Sequence, residues 1–494
     1  MGRNPRMGSA MELRFSNQML DCRFWMVLGA LFLLPLLVQA DRSGEEVYNL
    51  YCMQCHGPNM EGGQAASFID GVWNYGSGIG QHRRNIAFGI IGTQMVAWDK
   101  VLTDPEIDAV LEYILEAEAN LKVQPPPPPT HFETEDYRLN IEILAEGLQQ
   151  PWGITFLDKR TAIFTEFDGK LRLLVDNKVV DQPISGTPAA LRRPSGNKMG
   201  FMDIAADPNY TENGWIYLTY AHEAEHPVQG EPFNRSALRV VRGRIRNGSW
   251  VDEEIIYSTA PKHYLLNTGH IGSRLLFDRE GYLYFSTGDR DEMMVAQDLN
   301  VPYGKIHRIY PDGSVPESNP FFAMGKVGAL PTIYAYGSRN AQGLAMHPVT
   351  GDIWSTEHGQ MGGDELNKIE PGVNLGWPVI TLGLDRDNTP LTPYKEWPGM
   401  VQPKHYWTPS PAIGAIEFCT SPLFPKWENN LLVAALKHKN IRRLVLEGDK
   451  VVKEEFILRD CGRIRDISTG PDGSIYVLVD LRGFILRLTP DTLP

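Results

Sequence analysis

His270-Ile271-Gly272-Ser273-Arg274-Leu275-Leu276-Phe277-Asp278-Arg279-Glu280-Gly281-Tyr282-Leu283-Tyr284-Phe285-Ser286-Thr287-Gly288-Asp289 is an apolar run, a tight polar turn and an answering apolar run. Asp278 and Gly281 supply turn chemistry, and the flanking Leu, Phe and Tyr residues suit a pleated surface, so the stretch reads as a β-hairpin. The same arrangement recurs around Leu157-Asp158-Lys159-Arg160, Asp207-Pro208-Asn209-Tyr210, His347-Pro348-Val349-Thr350-Gly351, Pro422 to Asn430 and Pro471-Asp472-Gly473. Six such hairpins in succession predict an all-β six-bladed propeller.

Register carries the reading toward chemistry. With the turn centred between Arg279 and Glu280, antiparallel pairing sets His270 opposite Asp289 at the open end. Centring the next hairpin between Val349 and Thr350 sets Asn340 near Gly359 and Arg339 near Gln360. Arg463 and Arg465 open the last hairpin, two residues apart and so on one strand face. Lys437 lies at the outgoing end of the fifth. All these residues fall on the rim opposite the turns, where a propeller's blades converge on one mouth.

Outward from that region the chain changes character. The 494 residues exceed one ordinary core. Arg3, Arg6, Arg14 and Arg23 flank an apolar run from Phe24 to Val38, and Val38-Gln39-Ala40 closes it with a small residue. This predicts a signal peptide over 1–40, an exported protein that is periplasmic or secreted, and no membrane span in the mature chain. Pro125 to Pro129 form an extended spacer. The expected division is a small all-α domain at 41–122, a proline-rich linker at 123–138 and the propeller at 139–494. Residues 43–55 and 103–119 read as helices, the second opened by a capping box from Thr103 to Glu106. A net charge of -13 argues against a nucleic-acid partner.

Cys52-Met53-Gln54-Cys55-His56 places two thiols one helical turn apart beside a histidine, the pattern that attaches haem c through thioethers and ligates its iron through His56. A zinc site is disfavoured because no second cysteine pair completes it. An oxidising compartment permits Cys419 and Cys461 to pair, though sequence does not set their separation.

Around this motif, residues 43 to 120 resemble small monohaem class I cytochromes c. Gln94-Met95-Val96-Ala97-Trp98 stands where that family has Met-Pro-Ala-Trp, which implies Met95 as the second iron ligand; Met60 is a weaker candidate.

From about residue 139 onward the chain resembles the soluble PQQ-dependent aldose dehydrogenases of the glucose and sorbosone dehydrogenase type. The matching segments include Gln150-Pro151-Trp152-Gly153, Gly269 to Leu275, Gly288-Asp289-Arg290, Gly304-Lys305-Ile306, Gly337-Ser338-Arg339-Asn340-Ala341-Gln342-Gly343, Glu357-His358-Gly359, Gly362 to Asn367, Gly376-Trp377-Pro378 and Gly462 to Asp466. The resemblance implies a six-bladed propeller. It also implies that Arg339, Asn340, Gln342, Lys437, Arg463 and Arg465 hold PQQ. His270 would be the general base, Asp289 its orienting partner, and Arg339 the stabiliser of charge growing on the quinone. Calcium is implied at the carbonyls of Gly359 and Gln360, with a structural calcium at Glu365. Lys198, where relatives place glutamine, and Leu375, where they place tyrosine, depart from the pattern.

The expected activity is oxidation of an aldose to its lactone, with electrons passing to the haem and then to a soluble cytochrome or copper protein. Two other readings stand beside it: a calcium-dependent propeller lactonase, and a propeller that only binds a glycan or protein.

Overall fold

The computed structural model describes residues 42–62, 64–65, 67–69, 79–90, 93–119, 127–191, 200–225, 234–266, 269–385, 389–480 and 482–491. The expected signal peptide, Lys198 and the first two residues of the proline run lie outside them.

Six antiparallel sheets follow one another along the chain. Their first two strands are Pro151–Phe156 and Thr161–Glu166, Phe201–Ala206 and Ile216–Glu223, Gly272–Phe277 and Leu283–Thr287, Ala341–Met346 and Ile353–Glu357, Ile413–Phe418 and Leu431–Ala435, and Ile464–Thr469 and Ile475–Val479. Every hairpin turn read from the sequence joins one of these pairs. The first strand of each blade contacts the first strand of the next, and that of the sixth contacts that of the first, so the sheets close into a ring. Closure within the sixth blade is made by Arg138–Ala145 pairing with Phe484–Pro490, flanked by His131–Glu133. His131–Glu133 and Arg138, given to the linker by the sequence reading, are therefore already strand residues of this sheet.

Ring contacts repeat. The Thr165 hydroxyl donates to the Met202 carbonyl, Thr219 to Ser273 at 3.2 Å, Ser286 to Ala341 at 3.0 Å and Thr356 to Gly414 at 2.6 Å, each from a second strand to the next blade's first strand. Where the hydroxyl is missing a buried acid substitutes. Glu417 accepts from the Thr469 backbone N–H at 2.8 Å, and Asp466 from that of Ile154 at 2.9 Å.

At the hub lies Arg274. Its Nη1 donates to Asp203 at 3.2 Å and Asp466 at 2.8 Å, its Nε to the Gln342 carbonyl at 3.0 Å, and its Nη2 to the Arg465 carbonyl at 3.1 Å. The Trp152 ring lies 4.4 Å beneath the guanidinium.

All six first strands carry a register shift near the mouth. A bulge of this kind bends the strand and re-aims the residues beyond it.

The N-terminal module is helical, as expected. Gly44–Val47, a π-turn at Tyr48–Cys52 and Met53–His56 form one continuous stretch. Asp104–Ala119 is capped as read, with the Thr103 N–H donating to Glu106 at 2.9 Å and the Glu106 N–H to the Thr103 hydroxyl at 3.3 Å. Ile79–Phe88, which the sequence reading did not anticipate, is a further helix. Cys419 and Cys461 are free thiols buried in one apolar cluster of the fifth and sixth blades, so the disulfide considered from sequence is not formed. They pack as small apolar side chains. No helix among the described residues is long and apolar enough to cross a membrane.

Replacing Arg274 with Met should strand the Asp203 and Asp466 carboxylates in the hub. Guanidinium unfolding at neutral pH is expected to show a loss of about 3–5 kcal/mol.

Candidate functional site

The third-blade hairpin delivers the site's base. Its strands pair Leu275 with Phe285, and the bulge at Ser273 shifts this to Gly272 with Thr287 at the mouth. His270 and Asp289 consequently meet, Nδ1 to Oδ1 at 2.7 Å. His270 takes a left-handed backbone, φ 42°, to turn into the mouth. Burial alone would raise the Asp289 carboxyl, but His270, Arg339 and the Trp377 indole together hold it below the usual carboxylate range. Trp377 Nε1 donates to the second Asp289 oxygen at 2.8 Å, which leaves the carboxylate one orientation. Asp291, 3.2 Å from His270 Nδ1, adds another carboxylate. An imidazole whose Nδ1 is held by carboxylates presents Nε2 as the free basic nitrogen.

The fourth blade brings Arg339 over the Trp377 ring at 5.3 Å. Pairing here is Ala341 with Glu357 after a bulge, so Asn340 faces His358 rather than Gly359; the His358 N–H donates to the Asn340 carbonyl at 3.2 Å. Arg339 spends its side-chain donors on neutral acceptors, the His358 carbonyl at 3.0 Å and the Gln360 side chain. Gln342 Nε2 donates to Asn340 Oδ1 at 3.2 Å, and that oxygen also accepts from the Gly272 N–H at 3.2 Å.

From the sixth blade, Arg465 meets Asp480 at 2.7 Å and Arg463 meets the same oxygen at 3.7 Å. Arg463 and Arg465 thus share one carboxylate, Arg339 has none in ion-pair contact among the described residues, and the Nε atoms of Arg339 and Arg465 are buried with no hydrogen-bond partner among them. That surplus of buried donors and positive charge fits a rigid polyanion such as PQQ. His358 feels the same charge: burial, then Arg339, His270, Arg465 and Arg463, keep its ring neutral. Lys437 sits at the end of the fifth blade's second strand, and no hydrogen bond of its ammonium ties it to the others among the described residues.

Beside Arg339 is a cavity of about 10 Å³ whose lining includes Glu357, Gly359, Glu365 and Leu375. It has room for one water or small ion. Burial pushes both Glu357 and Glu365 up, and the neighbouring Glu357 pushes Glu365 up further. Two carboxylates beside an ion-sized space are hard oxygen donors of the kind calcium takes. Leu375 lines this wall, and its buried side chain belongs to an apolar cluster with Tyr334, Leu344 and Ile369.

In the N-terminal module the Cys52 thiol is buried and pushed up to about 12, first by burial and then by Cys55. The His56 ring stacks on Phe68 at 3.9 Å. Met95 and Met60 both join the helical core, Met60 the more deeply buried. Adjacent free thiols, a neighbouring imidazole and an apolar wall suit a covalently held haem.

Sequence reasoning missed Trp377, Asp291, His358 and Asp480 as site residues. Asp480 was readable, because extending the Ile464–Val479 pairing by one step sets it opposite Arg463.

Fold and site together define an oxidoreductase built as a propeller with a helical electron-carrier module. The chain belongs to the glucose/sorbosone dehydrogenase family, whose model matches residues 148–487. Residues 39–114 match the model described as cytochrome C oxidase, cbb3-type, subunit III. The chain is 35% identical over 358 residues to the aldose sugar dehydrogenase YliI of Escherichia coli, covering 71% of this chain and 93% of that protein. It is 25% identical over 364 residues to quinoprotein glucose dehydrogenase B of Acinetobacter calcoaceticus, covering 58% of this chain and 74% of that one. The apo form of the soluble aldose sugar dehydrogenase from Escherichia coli superposes with a TM-score of 0.66 at 34% identity, covering 72% of this chain and all (100%) of that one.

A pH prediction follows from the buried acids. Glu357 and Glu365 are raised, and Glu417 and Asp466 are each pushed up to about 7. Between the ordinary carboxylate range and about 7 the folded state binds more protons than the unfolded, so metal-free stability should fall as pH rises through that window. Thermal melts should show calcium stabilising the protein more at pH 8 than at pH 5, and Glu365→Gln should remove most of that difference.

Proposed function

We propose that this protein is an exported, periplasmic or secreted quinohaemoprotein that oxidises an aldose at its anomeric carbon to the lactone. The reading further holds that the electrons pass to a haem c, which Cys52 and Cys55 would hold covalently and His56 and Met95 would ligate through its iron. The observation that carries it is the His270–Asp289 dyad, its aspartate buried, beside Arg339, which bonds only neutral acceptors, and Arg463 and Arg465, which share one carboxylate.

PQQ, when bound, supplies an ortho-quinone able to take a hydride. Arg339, Arg463 and Arg465, with the amides of Asn340 and Gln342 and the ammonium of Lys437, would hold its carboxylates and carbonyls. His270 Nε2 removes the proton of the anomeric hydroxyl. Asp289 supports the resulting imidazolium, and Trp377 keeps Asp289 from rotating away. Arg339 supplies fixed positive charge where negative charge grows. Calcium would take the carbonyls of Gly359 and Gln360, and a second ion the Glu365 cavity.

Relatives named as sugar dehydrogenases, one of them a quinoprotein, support this reading. A lactonase has no use for the arginine surplus, and a pure binding module has none for an aligned base.

Purified protein given PQQ, Ca²⁺ and a panel of aldoses should show haem reduction in its visible absorption. His270→Gln should slow that reduction by roughly 10²–10⁴-fold and still retain PQQ. Absence of cofactor-dependent reduction with every sugar would defeat the proposal.

A further inference from the structure

His270 needs one carboxylate to orient its ring, and the third blade supplies two. Asp289 Oδ1 lies 2.7 Å from Nδ1 and Asp291 Oδ1 3.2 Å from it. The three donor atoms fall within 4.8 Å of one another, and no other such group of His, Cys, Asp and Glu occurs among the described residues.

Backbone geometry builds this cluster. Beyond the strand Leu283–Thr287, Arg290 and Asp291 both take left-handed backbones, φ 58° and 60°, which turn the chain back on itself. The Asp291 N–H then donates to Asp289 Oδ1 at 3.0 Å. The wholly buried Arg290 holds the turn in place: Nη1 donates to the Ser236 carbonyl at 3.1 Å, and its N–H to the His270 carbonyl at 3.3 Å. The Asp289 side chain is 1% exposed and that of Asp291 32%, so the cluster is anchored inside and open to solvent at one edge.

One imidazole nitrogen and two carboxylates are a zinc-type donor set, three protein ligands with a fourth position left to solvent. A tetrahedral ion with bonds of about 2.0–2.1 Å holds its ligand atoms roughly 3.3 Å apart. Asp291 already stands at that separation from Nδ1, and Asp289 reaches it by drawing back by about half an ångström. Two carboxylates and a neutral ring also leave the filled site without net charge. Calcium takes about six to eight oxygen ligands, which this cluster does not offer.

Occupancy has a consequence for the base. As a base, His270 keeps its proton on Nδ1 and its lone pair on Nε2. A metal bound at Nδ1 takes that nitrogen's lone pair, so the proton of the neutral ring sits on Nε2, the atom that has to accept from the anomeric hydroxyl. No electrons move in this exchange; the cation replaces the proton at Nδ1.

We infer that His270, Asp289 and Asp291 form an inhibitory site for a divalent cation of the zinc type, which silences the base by capturing Nδ1. The site stands on this geometry, and its effect on turnover rests on the dehydrogenase reading above.

The test titrates Zn²⁺ by calorimetry into tag-free, haem-bearing protein saturated with Ca²⁺ and free of PQQ. Saturable one-to-one binding is expected, weakened by about tenfold or more in Asp291→Asn and in His270→Gln, because even partners behind a metal's ligands are worth about 10–100-fold in affinity. X-ray absorption at the zinc edge should show one imidazole among oxygen neighbours and lose it in His270→Gln. In PQQ-loaded protein, Zn²⁺ at the concentration that fills the site should abolish aldose-dependent haem reduction, with the inhibition constant about tenfold higher in Asp291→Asn. Binding unmoved by both substitutions would overturn the site, and undiminished turnover at full occupancy would overturn its inhibitory role. Zinc-free protein that oxidises no aldose would instead overturn the dehydrogenase reading, with the titration still deciding the site.

Discussion

The Arg274 guanidinium is the interaction on which this architecture turns. A propeller's blades are separate sheets, and those facing the axis need something that refers each to the others. Arg274 does this with five hydrogen-bond donors' worth of geometry directed at different blades. It binds acids of the second and sixth blades, carbonyls of the fourth and sixth, and the face of Trp152 from the first. Those two carbonyls belong to Gln342 and Arg465, which stand at the mouth. The hub therefore sets the separation of the fourth and sixth blades' contributions to the site.

With the frame fixed, function depends on charge left unbalanced. Several buried cations here are matched by acids, as Arg274 is by Asp203 and Asp466 and Arg442 by Glu454. At the mouth the matching stops: Arg463 and Arg465 lean on one Asp480, and Arg339 has only neutral acceptors for its side chain. Holding such groups close together costs folding free energy, and an anionic ligand offsets it on binding. The His270–Asp289 dyad lies at the edge of that field, where a base is useful and where its aspartate is locked by Trp377.

Much of this was legible in the sequence. The six turns were readable because Asp, Pro, Asn and Gly punctuate apolar runs at each one, and all six join first to second strands. The His270–Asp289 encounter was read correctly through two compensating effects: the turn centres on Glu280, and the bulge at Ser273 restores the lost step. In the fourth blade a bulge with no compensating turn shift moved the pairing by one, so Asn340 faces His358. Bulges leave almost no composition signal, which is why register at the mouth is the least readable part. Trp377 and the Glu357–Glu365 cavity were out of reach for another reason, since long connections and cross-strand packing place them rather than local pattern.

The central claim is that residues from separate blades form one cradle for a tricyclic anion, and equilibrium titration of PQQ into the cofactor-free protein tests it most directly. Saturable one-to-one quenching of tryptophan fluorescence is expected, with affinity falling by roughly 100-fold or more in the Arg463→Gln/Arg465→Gln double variant, given about 1.5–3 kcal/mol for each charge-assisted hydrogen bond. Unsaturable binding, or an affinity unchanged by the double substitution, would contradict it.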